Sequence, residues 1–364
     1  MAAPAQRLFT PGDGAAPPAL TGREREEALL LQCLADLLGG TAPPHNVALM
    51  GPRGNGKTVL LKWFERACRH AGRVDIARLS PSRIRTEQAL VDLLLPGATH
   101  APSPQNLTER LIARCRTKPL VVLLDEAHTL APDVGELLLN VSQEVRAEAP
   151  FLLVLAGTPG LPAHLGTMDA SFWSRLSKGR LGIGLLGDAA ARAALTEPLA
   201  AHGVDIEADT LTAVVEESQR YPYFIQVWGE ALWDELLATG ATRLTAAHAD
   251  AARPNVIARV TDYHQDRYRE LEAGALLPAA VAVAALLQAG AASTASDHAV
   301  DAALAETGAE AAERLEAREA LNRLGYIWSP PGQLPPVVWI AGIPSLMAHV
   351  LDHTPPLPAA GALA

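Results

Sequence analysis

Cysteine is scarce in this chain. There are three in 364 residues, at positions 33, 68 and 115, with no CxxC pair and no histidine at ligand spacing. That excludes a disulfide-stapled scaffold and a structural zinc site, and fits a reducing compartment. Long apolar runs are missing too. The longest, from Ala275 to Ala292, is interrupted by Pro278, Gln288 and Gly290. It falls short of the roughly 20 clean apolar residues of a membrane span, and predicts a core helix. The opening stretch MAAPAQRLFTPGDG has neither the basic start nor the apolar run of a signal peptide. A cytoplasmic protein with no membrane contact is expected. No GxSxG and no Cys/His cluster is present, so a nucleophilic triad, a Cys/His metal centre or redox chemistry finds no support.

Positive charge is thin in the second half. Residues 181–364 hold ten basic against 23 acidic side chains, whereas residues 1–180 hold 20 against 17. The last part, 271–364, has three against nine. A nucleic-acid module usually presents a basic patch, so this field works against phosphate binding by the C-terminal half. The one basic stretch, Arg53 to Arg85, has nine basic and two acidic residues and reads as a solvated helix face.

What the chain does have is core material. Hydrophobic residues make up 49%, which excludes wholesale disorder, and the length suits about two to three domains. Residues 1–20, rich in Ala, Pro and Gly, predict a flexible N-terminal arm. A helix then begins, with Thr21 as its cap, Glu24 three residues on, and Leu29, Leu30, Cys33, Leu34, Leu37 and Leu38 at helical spacing. Three unbroken apolar runs follow, at 46–50, 120–124 and 151–156, separated by helical segments, with a weaker one at 74–79. Runs of that length alternating with helices predict a parallel sheet buried on both faces. After Leu186 strand signals cease and helices follow. The stretch LNRLGYIWSPPGQLPPVVWI predicts a helix and a two-stranded hairpin, the wing of a winged-helix-like module. The expected layout is an α/β domain over 21–186, a helical lid over 187–270, the winged-helix-like domain over 271–353 and a disordered tail over 354–364.

GPRGNGKT, Gly51 to Thr58, fits GxxxxGK[ST] between an apolar run and a helix. The chemistry dictates the residue types. Gly51, Gly54 and Gly56 let the backbone turn and aim N–H groups at phosphates, and the following helix adds its positive end. Pro52, Arg53, Asn55 and Val59 complete the cradle. Lys57 reaches the β- and γ-phosphates, and the Thr58 hydroxyl is a magnesium ligand. This is the phosphate loop of a P-loop NTPase, and it implies ATP and Mg2+. LVVLLDEAH ends a second run with Asp125 and Glu126, 68 residues after Lys57. Carboxylates at the C-terminal edge of a parallel sheet suit a magnesium-shell ligand, Asp125, and a residue that orients or activates water, Glu126. His128 reads as a capping or packing residue. FLLVLAGTP places Thr158 at the end of the third run, either as a γ-phosphate sensor or as a simple cap.

In this order the motifs resemble the AAA+ ATPases of the origin-recognition and Cdc6-type clade, with features of the STAND NTPases. GREREE, containing Gly22 and Arg23, looks like the box that packs near adenine. GPRGNGKT and LVVLLDEAH look like Walker A and Walker B, and LAGTPGLP like the sensor-1 strand. SFWSRLSKGR resembles the arginine-finger segment, with Arg175 first and Arg180 second, and YPYFIQVWGEALWDE resembles the sensor-2 helix. The resemblance covers roughly 21–270. It implies ATP hydrolysis with Lys57, Thr58, Asp125 and Glu126 in cis, and a homo-oligomer in which Arg175 acts in trans; an ordinary salt-bridged arginine is the plainer alternative. Two departures stand out. Pro222 falls where STAND lids carry a proline, which implies backbone-mediated nucleotide sensing. Thr158 stands where many relatives have Asn, which implies slow turnover. Three functions follow: an ATPase whose nucleotide state is read out by lid and winged helix to a protein partner, a nucleotide-dependent DNA-binding initiator or transposition helper, and an ATP switch with little turnover. The aromatic cluster Tyr221, Tyr223, Phe224, Trp228 and Trp233 reads as lid core, and Ile343, Leu346, Met347 and Val350 as the face of a last core helix.

Overall fold

The computed structural model describes residues 7–12, 20–97, 104–289, 293–331 and 337–354. The chain divides into two compact units: residues 23–51 with 57–183, and residues 1–22, 52–56 and 184–364. The first runs α1 (Glu24–Leu38), β1 (Val47–Met50), α2 (Lys57–Ala71), β2 (Asp75–Leu79), α3 (Glu87–Leu94), α4 (Pro104–Thr117), β3 (Leu120–Leu124), α5 (Pro132–Glu148), β4 (Phe151–Gly157), α6 (Leu161–Met168), α7 (Phe172–Leu176) and β5 (Arg180–Gly182). Its five strands form one parallel sheet in the order β2-β3-β4-β1-β5.

The apolar runs became β1, β3 and β4 for the expected reason. Leu120, Val122 and Leu124 face a core shared with Leu90, Leu107 and Leu138 from α3, α4 and α5. Val121 and Leu123 point to the other face and are as deeply buried. With a side-chain period of two, a strand covered on both faces must be apolar at every position. Asn46 fixes the start of this arrangement: its amide donates to Ser142 Oγ at 3.2 Å, and its Oδ1 accepts from the Leu153 N–H at 3.0 Å. The three cysteines are buried and free, and burial pushes the Cys33 and Cys68 thiols up to about 12 and Cys115 to about 11.

The second unit contains α8 (Asp188–Ala201), β6 (Asp205–Ile206), α9 (Ala208–Glu217), α10 (Pro222–Thr239), β7 (Arg243–Leu244) and α11 (Ala246–Ala273). It continues with α12 (Leu277–Ala289), β8 (Thr294–Ser296), α13 (Asp297–Ala305), α14 (Ala311–Leu324), β9 (Ile327–Trp328), β10 (Val338–Ala341) and α15 (Pro344–His353). The α-helical lid and the helix–strand–helix–helix–hairpin order of a winged-helix-like module are both present. Strands do not in fact cease at Leu186, although their signals do. The wing is three-stranded, β8-β10-β9, and a two-residue parallel pair joins β6 to β7. These strands have two to four residues, too few for a periodicity to register.

Two further expectations change. Thr21 does not cap α1. The N-cap is Arg23, and Gly22, at φ +71°, turns the chain so that the Thr21 hydroxyl donates to the Ala190 carbonyl. Within the stretch expected as a flexible arm, Leu8 and Phe9 are buried in the lid core, where Phe9 takes the space that a side chain at Gly229 would need. The tail expected to be disordered lies, from residue 355, outside the described residues. The aromatic cluster is core as read, but shared. Trp228 and Trp233 join the lid, whereas Tyr221 and Phe224 join the core of the C-terminal module. Ile343, Leu346, Met347 and Val350 are buried in that module too.

The same module buries two imidazoles, His264 and His349, beside an exposed third, His353. His264 Nε2 lies 2.9 Å from Ser345 Oγ, its ring packs on His349, and His349 stacks on His353, with Tyr268, Tyr263, Phe224 and Asp352 around them. Burial, helped by His349, pushes His264 down to about 4. The folded state therefore resists a proton that the unfolded chain takes up near pH 6.5, so stability is full above that value and falls as the pH drops toward 4. Between pH 7 and pH 5 the unit is expected to lose on the order of 2 kcal/mol through this group. Urea unfolding at the two pH values, with His264→Gln flattening the dependence, checks it.

Candidate functional site

The C-terminal edge of the sheet collects the predicted residues. In register, Met50 pairs with Gly157 and Leu124 with Leu155, so Gly51, Asp125 and Thr158 leave the same edge with β4 between the other two strands. An open parallel sheet binds ligands at that edge. Gly51 has no room for a side chain, since a Cβ there would lie 2.1 Å from the Ile183 carbonyl oxygen. From Gly51 the chain passes through Gly54 at φ +80° and Gly56 at φ +91° into α2. Lys57, Thr58 and Val59 form the first turn of that helix, at its positive end. Lys57 is buried and its Nζ donates to the Gly51 carbonyl at 2.8 Å.

The loop residues 52–56 are packed by aromatic side chains of their own unit. The Tyr221 hydroxyl donates to the Arg53 carbonyl, and the Tyr263 hydroxyl reaches the same oxygen at 3.3 Å. A Cβ on Gly54 would sit 2.9 Å from the Tyr221 ring, so that glycine is fixed by space as well as by its left-handed φ. Arg53 pairs with Glu270 at 2.8 Å. Pro52 and Asn55 are buried. Burial drives Tyr221 well above the usual phenol range, with Tyr263 adding to it; both hydroxyls stay protonated and able to donate.

Asp125 and Glu126 stand just past β3. Glu126 occupies the left-handed region, φ +54°. Its N–H donates to Asp125 Oδ1 at 3.0 Å, and its carbonyl accepts from both the N–H and the hydroxyl of Thr129 at 2.9 Å. Thr158 is buried, and its N–H donates to His128 Nδ1 at 3.4 Å. His128 Nε2 in turn lies 3.4 Å from Glu126 Oε2. Sequence reasoning set His128 aside, and no local pattern places it between a strand end and a carboxylate.

The remaining candidates separate. Arg23 is buried at the start of α1, where burial lowers its guanidinium below the usual value against the pull of Glu26 and Glu24. Pro222 is the first residue of α10, preceded by Gln219 and Arg220, both at positive φ, with Arg220 exposed. Arg175, on α7, is exposed; it donates to Gln143 Oε1 and lies 4.0 Å from Asp169. Arg180 is a strand residue in β5 with its guanidinium 5.3 Å from the centre of the Trp173 ring. Among the described residues no group of three His, Cys, Asp or Glu side chains is placed to hold a metal ion. The Thr58 hydroxyl and Asp125 carboxylate are hard oxygen donors that suit Mg2+, an ion usually completed by waters and phosphates rather than by a protein cage.

Comparison with known proteins agrees with this geometry. Residues 43–165, from just before β1 into α6, match the family model described as an AAA domain. Over that third of the chain the sequence is similar to AAA domains. Around it the whole fold is Orc/Cdc6-like. The ORC2 protein of Aeropyrum pernix, solved as ADPNP–ADP complexes, is similar at a TM-score of 0.60 and 16% identity, over 95% of this chain and 98% of that one. Cdc6p of Pyrobaculum aerophilum is similar at 0.52 and 14%, over 95% and 97%. The Walker-type ATPase PABY2304 of Pyrococcus abyssi is similar at 0.62 and 16%, over 92% and 96%. At these identities the likeness is one of fold. No curated protein matches the chain in sequence. Among the described residues no helix is long and apolar enough to cross a membrane.

Proposed function

We propose that the chain binds ATP with Mg2+ at this sheet edge and hydrolyses it slowly, the nucleotide state being passed through the lid (187–270) to the winged-helix-like domain (271–353) and a protein partner. The observation that carries this is the convergence of a glycine loop, a paired Asp125–Glu126 and Thr158 at one edge of a parallel sheet. Loop N–H groups and Lys57 bind the phosphates, with Gly22, Arg23 and Pro222 contributing to the nucleotide site. Thr58 and Asp125 would hold magnesium, which supplies charge neutralisation at the β- and γ-oxygens. Glu126 orients a water and takes its proton as the water oxygen bonds to the γ-phosphorus; the bond to the bridging oxygen breaks, leaving ADP and inorganic phosphate. Thr158 can hydrogen-bond the γ-phosphate or the water, but as a hydroxyl it offers one donor where an amide offers two.

Arg175 is the exposed one of the two arginines, which suits a finger reaching a neighbouring copy. Steady-state turnover measured against protein concentration tests the reading. A rise steeper than linear, lost in Arg175→Ala, is expected for a site completed by a second copy. Stimulation by duplex DNA would move the function toward an initiator or helper, against the ten-to-23 charge balance of residues 181–364. Tight ATP binding without turnover would make the protein a switch, and absence of ATP binding would overturn the proposal.

A further inference from the structure

We propose that His128 is a positioning residue that sets the orientation of the Glu126 carboxylate and ties it to the end of β4. The inference rests on the hydrolysis proposed above and deepens it. The backbone of Glu126 is fixed at both ends, by Asp125 Oδ1 on its N–H and by Thr129 on its carbonyl. Its side chain is not fixed by those bonds. It is 54% exposed and turns about three single bonds. A carboxylate that must face one water needs a further partner, since misplacement of a reacting group by about 1 Å can cost on the order of 100-fold in rate.

The imidazole of His128 supplies that partner in a defined state. The Thr158 N–H points at Nδ1, 3.4 Å away, so Nδ1 must offer its lone pair and cannot carry a proton. The proton of the neutral ring then sits on Nε2, and Nε2 faces Glu126 Oε2 at 3.4 Å. One carboxylate oxygen is held while Oε1 is left for water. The ring is itself largely enclosed, with its side chain 13% exposed, so its direction is set by the structure and not by solvent. Thr158 follows directly on β4, whose last residue pairs with Met50 at the head of the phosphate loop. A shift of this strand end is therefore carried by a backbone N–H, through one ring, to the carboxylate. This gives Thr158 a task that its side chain does not determine, and it explains how the position serves without an amide.

Two substitutions separate the two nitrogens. Asn at 128 can place an oxygen where Nδ1 is but cannot reach Glu126, whereas Gln can place an amide donor near the Nε2 position. His128→Asn is expected to lower kcat by about 10-fold or more and His128→Gln to stay within about threefold of wild type, with the Kd for ATP unchanged in both. Equal loss in the two variants, full activity in His128→Asn, or a Kd that moves with kcat would overturn the assignment. A second measurement stands independent of turnover. In protein labelled with 15N-histidine, the His128 signals, assigned by their loss in His128→Asn, are expected to show the Nε2–H tautomer, with Nε2 moving in Glu126→Gln. An Nδ1–H tautomer, or no response to Glu126→Gln, would overturn the proposal even if the wild type binds ATP and never hydrolyses it. In that last case the hydrolysis reading fails by itself and the tautomer still decides the pairing.

Discussion

Glu126→Gln is expected to reduce ATP turnover by about 10²- to 10³-fold while leaving ATP affinity within about twofold of wild type. The amide keeps the size and the hydrogen-bonding reach of the side chain but loses the negative charge that accepts a proton from water. The left-handed backbone of Glu126 is held by Asp125 and Thr129 through main-chain atoms, so the substitution leaves those bonds intact. Parallel measurement of single-turnover hydrolysis and of equilibrium binding of ATP separates the two quantities. A variant that hydrolyses at the wild-type rate would remove Glu126 from the chemistry and leave Asp125 as the carboxylate to examine.

Lys57→Ala is expected to weaken ATP binding by at least about 100-fold, equivalent to roughly 2.7 kcal/mol. The ammonium is buried and donates to the Gly51 carbonyl at 2.8 Å, so it is already desolvated and aimed into the loop. A charge held in that state attracts phosphate more strongly than one in water. Removing it also leaves the Gly51 carbonyl without this donor, and Lys57→Met, which keeps the stem, distinguishes lost charge from lost packing. Both variants are expected to bind ATP equally poorly, with Lys57→Met retaining the wild-type urea midpoint. Titration calorimetry with ATP and Mg2+ checks the affinity, and tight binding by either variant would contradict the role of the loop.

How much of this could be read from the residues depends on how each signal arises. β1, β3 and β4 were legible because a strand buried on both faces has to be apolar throughout, and the phosphate loop because glycine, lysine and threonine are required at set intervals. β5 was not. Arg180, Leu181 and Gly182 are three residues whose pairing with β1 is decided by the neighbour, not by their own composition. β8 escaped for the same reason, and so the wing was read as two strands where there are three. Thr21 was read as a cap from local spacing alone, and the structure spends its hydroxyl on Ala190, 169 positions away. His128 read as a capping or packing residue because its contacts come from elsewhere: one from a strand end 30 positions on, the other from a glutamate turned by a positive φ. Neither leaves a mark in the order of residues.

The burial of Leu8 and Phe9 in the lid core has a consequence for how the chain is made. At about 5–20 residues per second, a ribosome releases Phe9 some 10–45 s before Gly229 has been joined. The five-stranded sheet, complete by residue 183, can close in that interval. The lid cannot, because part of its interior is Leu8 and Phe9 and the rest lies between residues 186 and 256. Two apolar side chains thus wait in the open while the 220 residues from Phe9 to Gly229 are joined. The sheet is then finished well before the element proposed to read its nucleotide.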